Sequence, residues 1–252
     1  MNLMNHPVIF GACSAIALWA AARVGTVVHK RSGPTPESKR EDLGFVVSAI
    51  LTLLGLLIGF SFSMAISRYD QRKNYEEEEA NAIGTEYLRA DLLPAANATK
   101  VRQLLVKYLD QRRQWYVTHD KEKLAAVDAE TARLQSEMWL EIKSAAAAQP
   151  TPVMAVVATG MNDVLNTQGY TQAAWWNRIP TNAWILMIVI ALFCSFLIGY
   201  SSREFRGGTF WIVPIAVAVS FMLIADIDSP RAGLIRVVPQ NLVSLAQSMQ
   251  QQ

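Results

Sequence analysis

Residues that bind metals or form disulfides are scarce in this chain. Its 252 residues include two cysteines and three histidines. Cys13 and Cys194 lie inside apolar runs and lack the CxxC spacing of redox or zinc motifs. His6, His29 and His119 are too far apart in the sequence to form a local cluster. We therefore predict no disulfide framework, no metal site and no cofactor, and we expect both cysteines to behave as small apolar residues.

Recognisable catalytic signatures are also missing. The sequence has no GxSxG, no HExxH, no Walker-type glycine loop and no clustered acid–base pair. No enzymatic activity is therefore predicted. The formal net charge of +2 at pH 7 is too small to indicate a polyanionic partner, so nucleic-acid binding is not expected either.

Charged side chains are absent from residues 43–67, 179–202 and 207–225, and residues 1–22 carry no ionisable side chain except His6. Each run is long enough, at roughly 20 residues, to cross the hydrocarbon core of a bilayer as a helix. We predict four membrane spans, at about residues 5–28, 43–67, 180–201 and 209–225. The first run could instead be a secretion signal, but it lacks a basic amino-terminal region. A multi-pass membrane protein, with the lipid bilayer as a partner, is therefore favoured over buried helices of a soluble protein.

The region between the second and third spans, residues 68–178, is polar and has helical periodicity. No proline occurs from the start of the second span until Pro94. The helix of this span should therefore continue past the membrane as a long stalk. Apolar residues at spacings of three and four predict three further helices. They are Val101, Leu104, Leu105, Tyr108 and Leu109, then Leu124, Val127, Leu134, Met138 and Ile142, then Met154, Val157, Met161, Val164 and Leu165.

The predicted fold is an all-α integral membrane protein with four transmembrane helices and an extramembrane helical bundle. Residues 1–67 hold the first two spans, 68–178 form the bundle, and 179–226 hold the last two spans. Residues 227–252 form a tail with a short helix. Asp120 or Thr118 is a plausible N-cap within the bundle.

Small residues recur every fourth position along the second span, at Gly55, Gly59, Ser63 and Ser67. Such a stripe lets helix backbones approach closely in lipid. It could also line a pore, where glycine leaves room and serine offers hydroxyl groups. Phe60 and Phe62 flank the stripe, and a ring of such side chains from several subunits would form an apolar constriction. Packing against lipid or other helices is the alternative for both features.

Charged residues mark the ends of two predicted spans. Arg68, Asp70, Arg72 and Lys73 follow the second span. The basic members could anchor the helix at lipid headgroups, or could concentrate anions before the glutamates at 76–79 repel them. Asp226 and Asp228 follow the fourth span. They could lie at the membrane interface, or could take part in a cation or proton site.

The end of the second span resembles the bestrophin anion channels, on Gly59-Phe60 followed by Ser67-Arg68-Tyr69-Asp70. It departs from them at positions 71 and 72, where glutamine and arginine replace a tryptophan pair. The stretch 78–94, EEANAIGTEYLRADLLP, is more similar to a family of bacterial and plant membrane proteins described as bestrophin-like. The tail pattern Asp226-x-Asp228-x-Pro230-x-x-Gly233-x-Ile235 is similar to that family as well. The resemblance extends over nearly the whole chain in the order of its parts, which is two spans, a helical middle region and two further spans.

This resemblance implies a homo-oligomeric ion channel, such as a pentamer, in which the second span lines the pore. It implies inorganic ions as partners, anions by analogy, and a location in the bacterial inner membrane. The alternative is a membrane-anchored interaction or scaffold protein whose helical domain binds a partner and which does not conduct.

The side of the membrane that the bundle faces stays open. Six basic residues flank the spans on one side and six on the other. With equal numbers on the two sides, the positive-inside rule does not distinguish them by count. The amino terminus carries no basic residue, which favours its location, and that of the bundle, outside the cytoplasm. The bestrophin analogy places it in the cytoplasm.

Overall fold

The computed structural model describes residues 6–32, 37–201 and 209–251, and these residues are almost entirely helical. The all-α membrane fold predicted from the sequence is confirmed. A 3-10 turn, Ala90–Leu92, separates the second and third helices. The helices are α1 (Pro7–Ser32), α2 (Glu37–Arg89), α3 (Ala95–Val117), α4 (Lys121–Ala148), α5 (Pro152–Trp176), α6 (Thr181–Ser201), α7 (Thr209–Asp228) and α8 (Gln240–Met249).

Among the described residues, four helical stretches are long and apolar enough to cross a membrane. They are α1, α2, the stretch containing α5 and α6, and α7. α2 is a continuous helix of 53 residues, about 80 Å long at 1.5 Å per residue. It ends at Arg89, and the 3-10 turn then leads to Pro94, whose ring excludes the preceding residue from α-helical geometry.

The helices begin and end differently from the sequence expectation between the first two spans. The first span was expected to end at about residue 28 and the second to begin at about residue 43, but α1 continues to Ser32 and α2 starts at Glu37. The reason is that lysine, arginine and glutamate favour helix on both sides of the Gly33–Pro36 segment. That segment, and the 202–208 loop with Arg203, Glu204 and Arg206, lie outside the described residues.

The chain folds as two compact units. Unit 1 comprises Met1–Tyr69 and Arg178–Arg236, and unit 2 comprises Asp70–Asn177 and Val237–Gln252. In unit 1, α1 packs closely on α6. A Cβ atom on Gly199 would lie 1.9 Å from the carbonyl oxygen of Ala22, and one on Gly25 would lie 2.1 Å from that of Phe196. Glycine at these positions is what allows the two backbones to touch.

Unit 2 is a bundle of α3, α4, α5, α8 and the second half of α2. Its core contains thirteen of the fifteen residues expected from periodicity, including the fully buried Leu105, Leu134 and Val164, whereas Leu124 and Leu165 are only partly buried. Asp120 is the N-cap of α4, because its Oδ1 accepts a hydrogen bond of 2.9 Å from the backbone N–H of Lys123.

Candidate functional site

The small-residue stripe of α2 has no packing partner within unit 1. Gly55, Gly59, Ser63 and Ser67 are all exposed, and a Cβ atom added to either glycine would meet nothing within 4 Å. The opposite face of α2 is the one that packs on unit 1, since Leu54 and its helical neighbours there are buried. The stripe therefore faces away from the subunit's own core.

The two phenylalanines beside the stripe lie on different faces of α2. Phe60 is 62% exposed, whereas Phe62 is partly buried and packs against the apolar cluster of unit 1. Two positions along a helix correspond to a rotation of about 200°, so the two rings cannot share one surface. Of the pair, Phe60 is the ring that unit 1 leaves exposed.

The charges after the apolar part of α2 divide between the interior and the surface. Arg72 is 1% exposed and lies inside unit 2, so it does not anchor α2 at lipid headgroups. Arg68 is half-buried in unit 1, and its Nη1 lies 3.7 Å from Oδ1 of Asp228. Asp70 and Lys73 are exposed. Of the three basic residues that follow the second span, Arg72 is therefore internal to the fold, Arg68 is half-buried and Lys73 is exposed.

Asp228 connects the end of α7 to the segment that enters α6. Its Oδ1 and Oδ2 lie 3.0 and 3.2 Å from the backbone nitrogen of Ile179, which donates a hydrogen bond to the carboxylate. Its Oδ2 also lies 3.4 Å from Nε of Arg178. With its side chain 2% exposed and these donors around it, Asp228 acts as a structural anion in unit 1.

Asp226 organises the loop that follows α7. Its two carboxylate oxygens accept hydrogen bonds from the backbone N–H groups of Leu234 and Ile235, at 2.6 and 2.9 Å. Gly233 is required beside them, because a Cβ atom there would lie 2.2 Å from the carbonyl oxygen of Asp226. The spacing Asp226-x-Asp228 with Gly233-x-Ile235 is thus a loop-closing motif, which gives both carboxylates a structural role.

The four glutamates at positions 76–79 are split by the helical repeat. Glu77 and Glu78 are exposed, while Glu76 and Glu79 are buried. Glu76 caps α8, since its Oε1 accepts from the backbone N–H of Leu242 at 3.0 Å and its Oε2 from Nδ2 of Asn241 at 2.6 Å. A carboxylate at a helix N-terminus also interacts favourably with the helix dipole.

Glu79 is the centre of a buried polar network in unit 2. It forms an ion pair with Arg112 through Nε and accepts hydrogen bonds of 3.3 Å from Tyr116 Oη and Thr171 Oγ1. Burial, and then the charge of Glu79, raise the pKa of Tyr116. The sequence held one signal for this site, because Arg112 continues the apolar stripe of Leu105 at helical spacing, and a buried arginine needs an anion.

Glu86 is a second buried carboxyl group, and it lacks such partners. Its side chain is inaccessible to solvent, and neither oxygen has a hydrogen-bond partner among the described residues. Gly160 on α5 makes room for it, since a Cβ atom there would lie 2.1 Å from Oε2 of Glu86. Burial raises the pKa of Glu86 to about 8, although Arg89, whose Nη1 lies 3.9 Å away, lowers it and Asp163 raises it.

Within residues 6–32, 37–201 and 209–251, no group of three or more histidine, cysteine, aspartate or glutamate side chains could hold a metal ion.

Comparisons with known proteins point to one family and one fold. A family model described as Bestrophin-like domain matches residues 15–242. A crystal structure of a bacterial bestrophin homologue from Klebsiella pneumoniae, determined by Zn-SAD phasing, is similar with a TM-score of 0.62 and 12% identity over 94% of this chain and 98% of that chain. Two single-residue variants of that homologue give TM-scores of 0.62 and 0.64, at 14% and 12% identity. The first covers 93% of this chain and 98% of its own, and the second 96% and 94%. No curated protein matches the chain.

Proposed function

Because the chain belongs to the bestrophin-like family, we propose that it assembles from several copies of itself into an ion channel whose pore is lined by α2. The observation that carries this proposal is the exposed face of Gly55, Gly59, Ser63 and Ser67. This face lies on a helix apolar enough to cross the membrane, and none of the residues that the structure describes covers it.

A small-residue face in hydrocarbon has two uses. It allows helices of neighbouring subunits to approach closely, or it leaves space for water and ions around an axis. A ring of copies uses both, since the glycines set the distance between α2 helices and the serine hydroxyls face the lumen. The close helix contact within one subunit is made elsewhere, by Gly25 and Gly199, which leaves the α2 stripe free for assembly.

Phe60 supplies the narrow point of the proposed pore. It is 62% exposed and lies next to Gly59, on the part of α2 that unit 1 does not cover. An apolar ring at this level would gate by excluding water. Phe62, which packs on the core of unit 1, is left out of the pore and acts in packing.

Two arguments about the charge of the permeant ion lead to opposite answers. The resemblance to bestrophin anion channels favours anions. In unit 2, however, the exposed charges of α2 nearest its apolar part are Asp70, Lys73, Glu77 and Glu78, because Arg72 is buried. Three negative charges against one positive charge favour cations. Reversal potentials in a salt gradient decide between the two signs.

The test of conduction is a reconstitution with matched variants. The purified protein should run as a homo-oligomer in mild detergent and should pass current in planar bilayers. Phe60→Ala should increase the current by widening the apolar ring. Phe193→Ala, which removes an aromatic side chain of similar exposure from α6, should not. A verified oligomer that stays silent across salts and voltages would contradict the proposal.

An interaction or scaffold protein is the second candidate, and one surface feature favours it. Trp139 and Leu140 are adjacent on α4 and are 38% and 60% exposed. Large exposed apolar side chains often mark binding surfaces. Crosslinking that recovers a stoichiometric foreign partner, lost in Trp139→Ser/Leu140→Ser, with a monomeric chain in detergent, would favour this function over conduction.

A further inference from the structure

Unit 1 contains an apolar groove between α1 and α7 that the proposed channel does not use. Its volume is about 260 Å³. It is lined by Ala15, Ile16, Trp19, Trp211, Pro214 and Ile215. Both helices are long and apolar enough to cross the membrane, so the groove lies where lipid tails would be its solvent.

The two tryptophans form one end of the groove. The ring centroids of Trp19 and Trp211 are 5.6 Å apart, with 15° between the ring planes, which is a stacked arrangement. The Nε1 atom of Trp19 is buried and donates no hydrogen bond to any residue that the structure describes. Indole N–H groups are normally paired when they are buried, because an unpaired donor loses its interaction with water. A bound molecule with an oxygen acceptor would satisfy this atom.

A cation stands beside that donor. Arg23 follows Trp19 by one helical turn, and its Cζ lies 5.2 Å from the centroid of the Trp19 ring. Ile16, Trp19 and Arg23 are spaced by three and four residues, so they lie along one face of α1. Along this face the side chains change from the apolar Ile16, through the amphipathic Trp19, to the cationic Arg23, over roughly 10 Å of helix. This is the order of chemistry along a phospholipid, from acyl chain through ester to phosphate.

We propose that this groove binds an anionic glycerophospholipid. One acyl chain lies between Ile16 and Ile215, an oxygen of the ester or phosphate accepts from Nε1 of Trp19, and the phosphate pairs with Arg23. Tryptophan and arginine are suited to the depth at which headgroups meet hydrocarbon. A zwitterionic lipid would also fill the groove, but its headgroup would interact less favourably with Arg23. The site should therefore select lipids by the charge of the headgroup.

The test measures retained lipid on the purified full chain. Protein in mild detergent is incubated with phosphatidylglycerol or phosphatidylcholine, washed, and analysed for bound lipid per chain by native mass spectrometry. Arg23→Gln should reduce retention of phosphatidylglycerol about fivefold, the effect of one basic residue near a headgroup, and should leave phosphatidylcholine unchanged. Lys30→Gln is the control for charge alone, because it removes an exposed positive charge from the same helix face about two turns beyond Arg23, and Lys30 does not line the groove.

Further variants separate the hydrogen bond from the charge and from folding. Trp19→Phe keeps an aromatic ring but removes the N–H, so it should lower retention of both lipids, whereas Trp176→Phe should lower neither. Arg23→Lys should restore the preference for phosphatidylglycerol, which shows that Arg23→Gln did not simply unfold the chain. Each variant is compared at equal recovery of monodisperse protein.

Several results would overturn the lipid site. One is equal retention of the two lipids, and another is an equal loss in Arg23→Gln and Lys30→Gln. A third is a disulfide between two copies of Ile16→Cys in a chain lacking Cys13 and Cys194, because the groove would then be a subunit contact. The lipid-site proposal depends on insertion into a membrane and not on conduction. A protein that passes no current but retains phosphatidylglycerol selectively would therefore contradict the channel function and still support the lipid site.

Discussion

Glu79 of α2 and Arg112 of α3 form an ion pair in which neither side chain is accessible to solvent. Removing two charges from water is costly, and the pair is tolerated because each supplies the other's counter-charge and because Tyr116 and Thr171 donate to the carboxylate. This pair holds the stalk part of α2 to the helical bundle of unit 2.

Breaking this pair from one side should strongly destabilise unit 2. Glu79→Gln leaves Arg112 as a buried charge without an anion, and removal of one partner of a buried pair costs roughly 3–5 kcal/mol. The measurement is the midpoint of chemical or thermal unfolding in detergent. Replacing both residues, as Glu79→Leu/Arg112→Met, should recover much of the loss. Arg133→Gln, which breaks an exposed pair with Glu130 and Glu137 on α4, should have a much smaller effect.

The stability of unit 2 should fall as the solution becomes alkaline, because of Glu86. The pKa of this carboxyl group is about 8 in the folded chain, against 4.5 for an exposed glutamate. Its contribution is fully present below pH 4.5 and is lost as the pH rises through 8, where a buried group must ionise. The groups that face it are Arg89 on its own helix and Asp163 on α5.

Glu86→Gln should therefore flatten the dependence of the unfolding midpoint on pH, with a gain over the parent on the order of a few kcal/mol above pH 8. Glu78→Gln is the control, since Glu78 is exposed on the same helix. Parallel pH profiles for the parent and Glu86→Gln would show that the carboxyl group is not titrating in this range.

The two aspartates in the last turn of α7 should affect folding rather than ion or proton movement. Asp228→Asn weakens the pairing with Arg68 and Arg178, and Asp226→Ala removes both acceptors for Leu234 and Ile235. Each replacement should lower the unfolding midpoint and the yield of monodisperse protein, because buried donors lose their partners. Asp70→Asn, at an exposed position, should change neither. A variant of normal stability with altered ion dependence would assign Asp226 or Asp228 a functional role instead.

A single methyl group at position 199 should disrupt the packing of α1 on α6. In Gly199→Ala the new Cβ would lie 1.9 Å from the carbonyl oxygen of Ala22, and backbone atoms cannot move aside as a flexible side chain can. We expect a loss of stability of about 1–3 kcal/mol, as in other overpacked cores. Gly44→Ala is the control, because nothing lies within 4 Å of its added Cβ, and alanine favours helix over glycine. Equal unfolding midpoints for the two variants would refute the close contact.

Much of the architecture follows from local features of the sequence. Charge-free runs of membrane-spanning length predicted the four spans, since a charged side chain in hydrocarbon is costly wherever the chain goes. Periodic apolar residues predicted the bundle helices, and Asp120 capped α4 as its type and position indicated. These features depend on hydropathy and on the 3.6-residue repeat, which act before any distant contact is formed.

Tertiary structure decided which partner each side chain meets. The sequence could not distinguish Glu76 and Glu79, which turn inward to α8 and Arg112, from Glu77 and Glu78, which face solvent. Nor could it indicate that glycines on α1 and α6 allow a close contact between these helices while the α2 stripe stays exposed. Hydropathy shows that a residue can be buried, but the neighbouring helix that covers it is brought there by residues far away in the chain. For this reason the spans could be predicted from the sequence, whereas the ion pairs, the loop-closing aspartates and the groove between α1 and α7 became visible only in the folded chain.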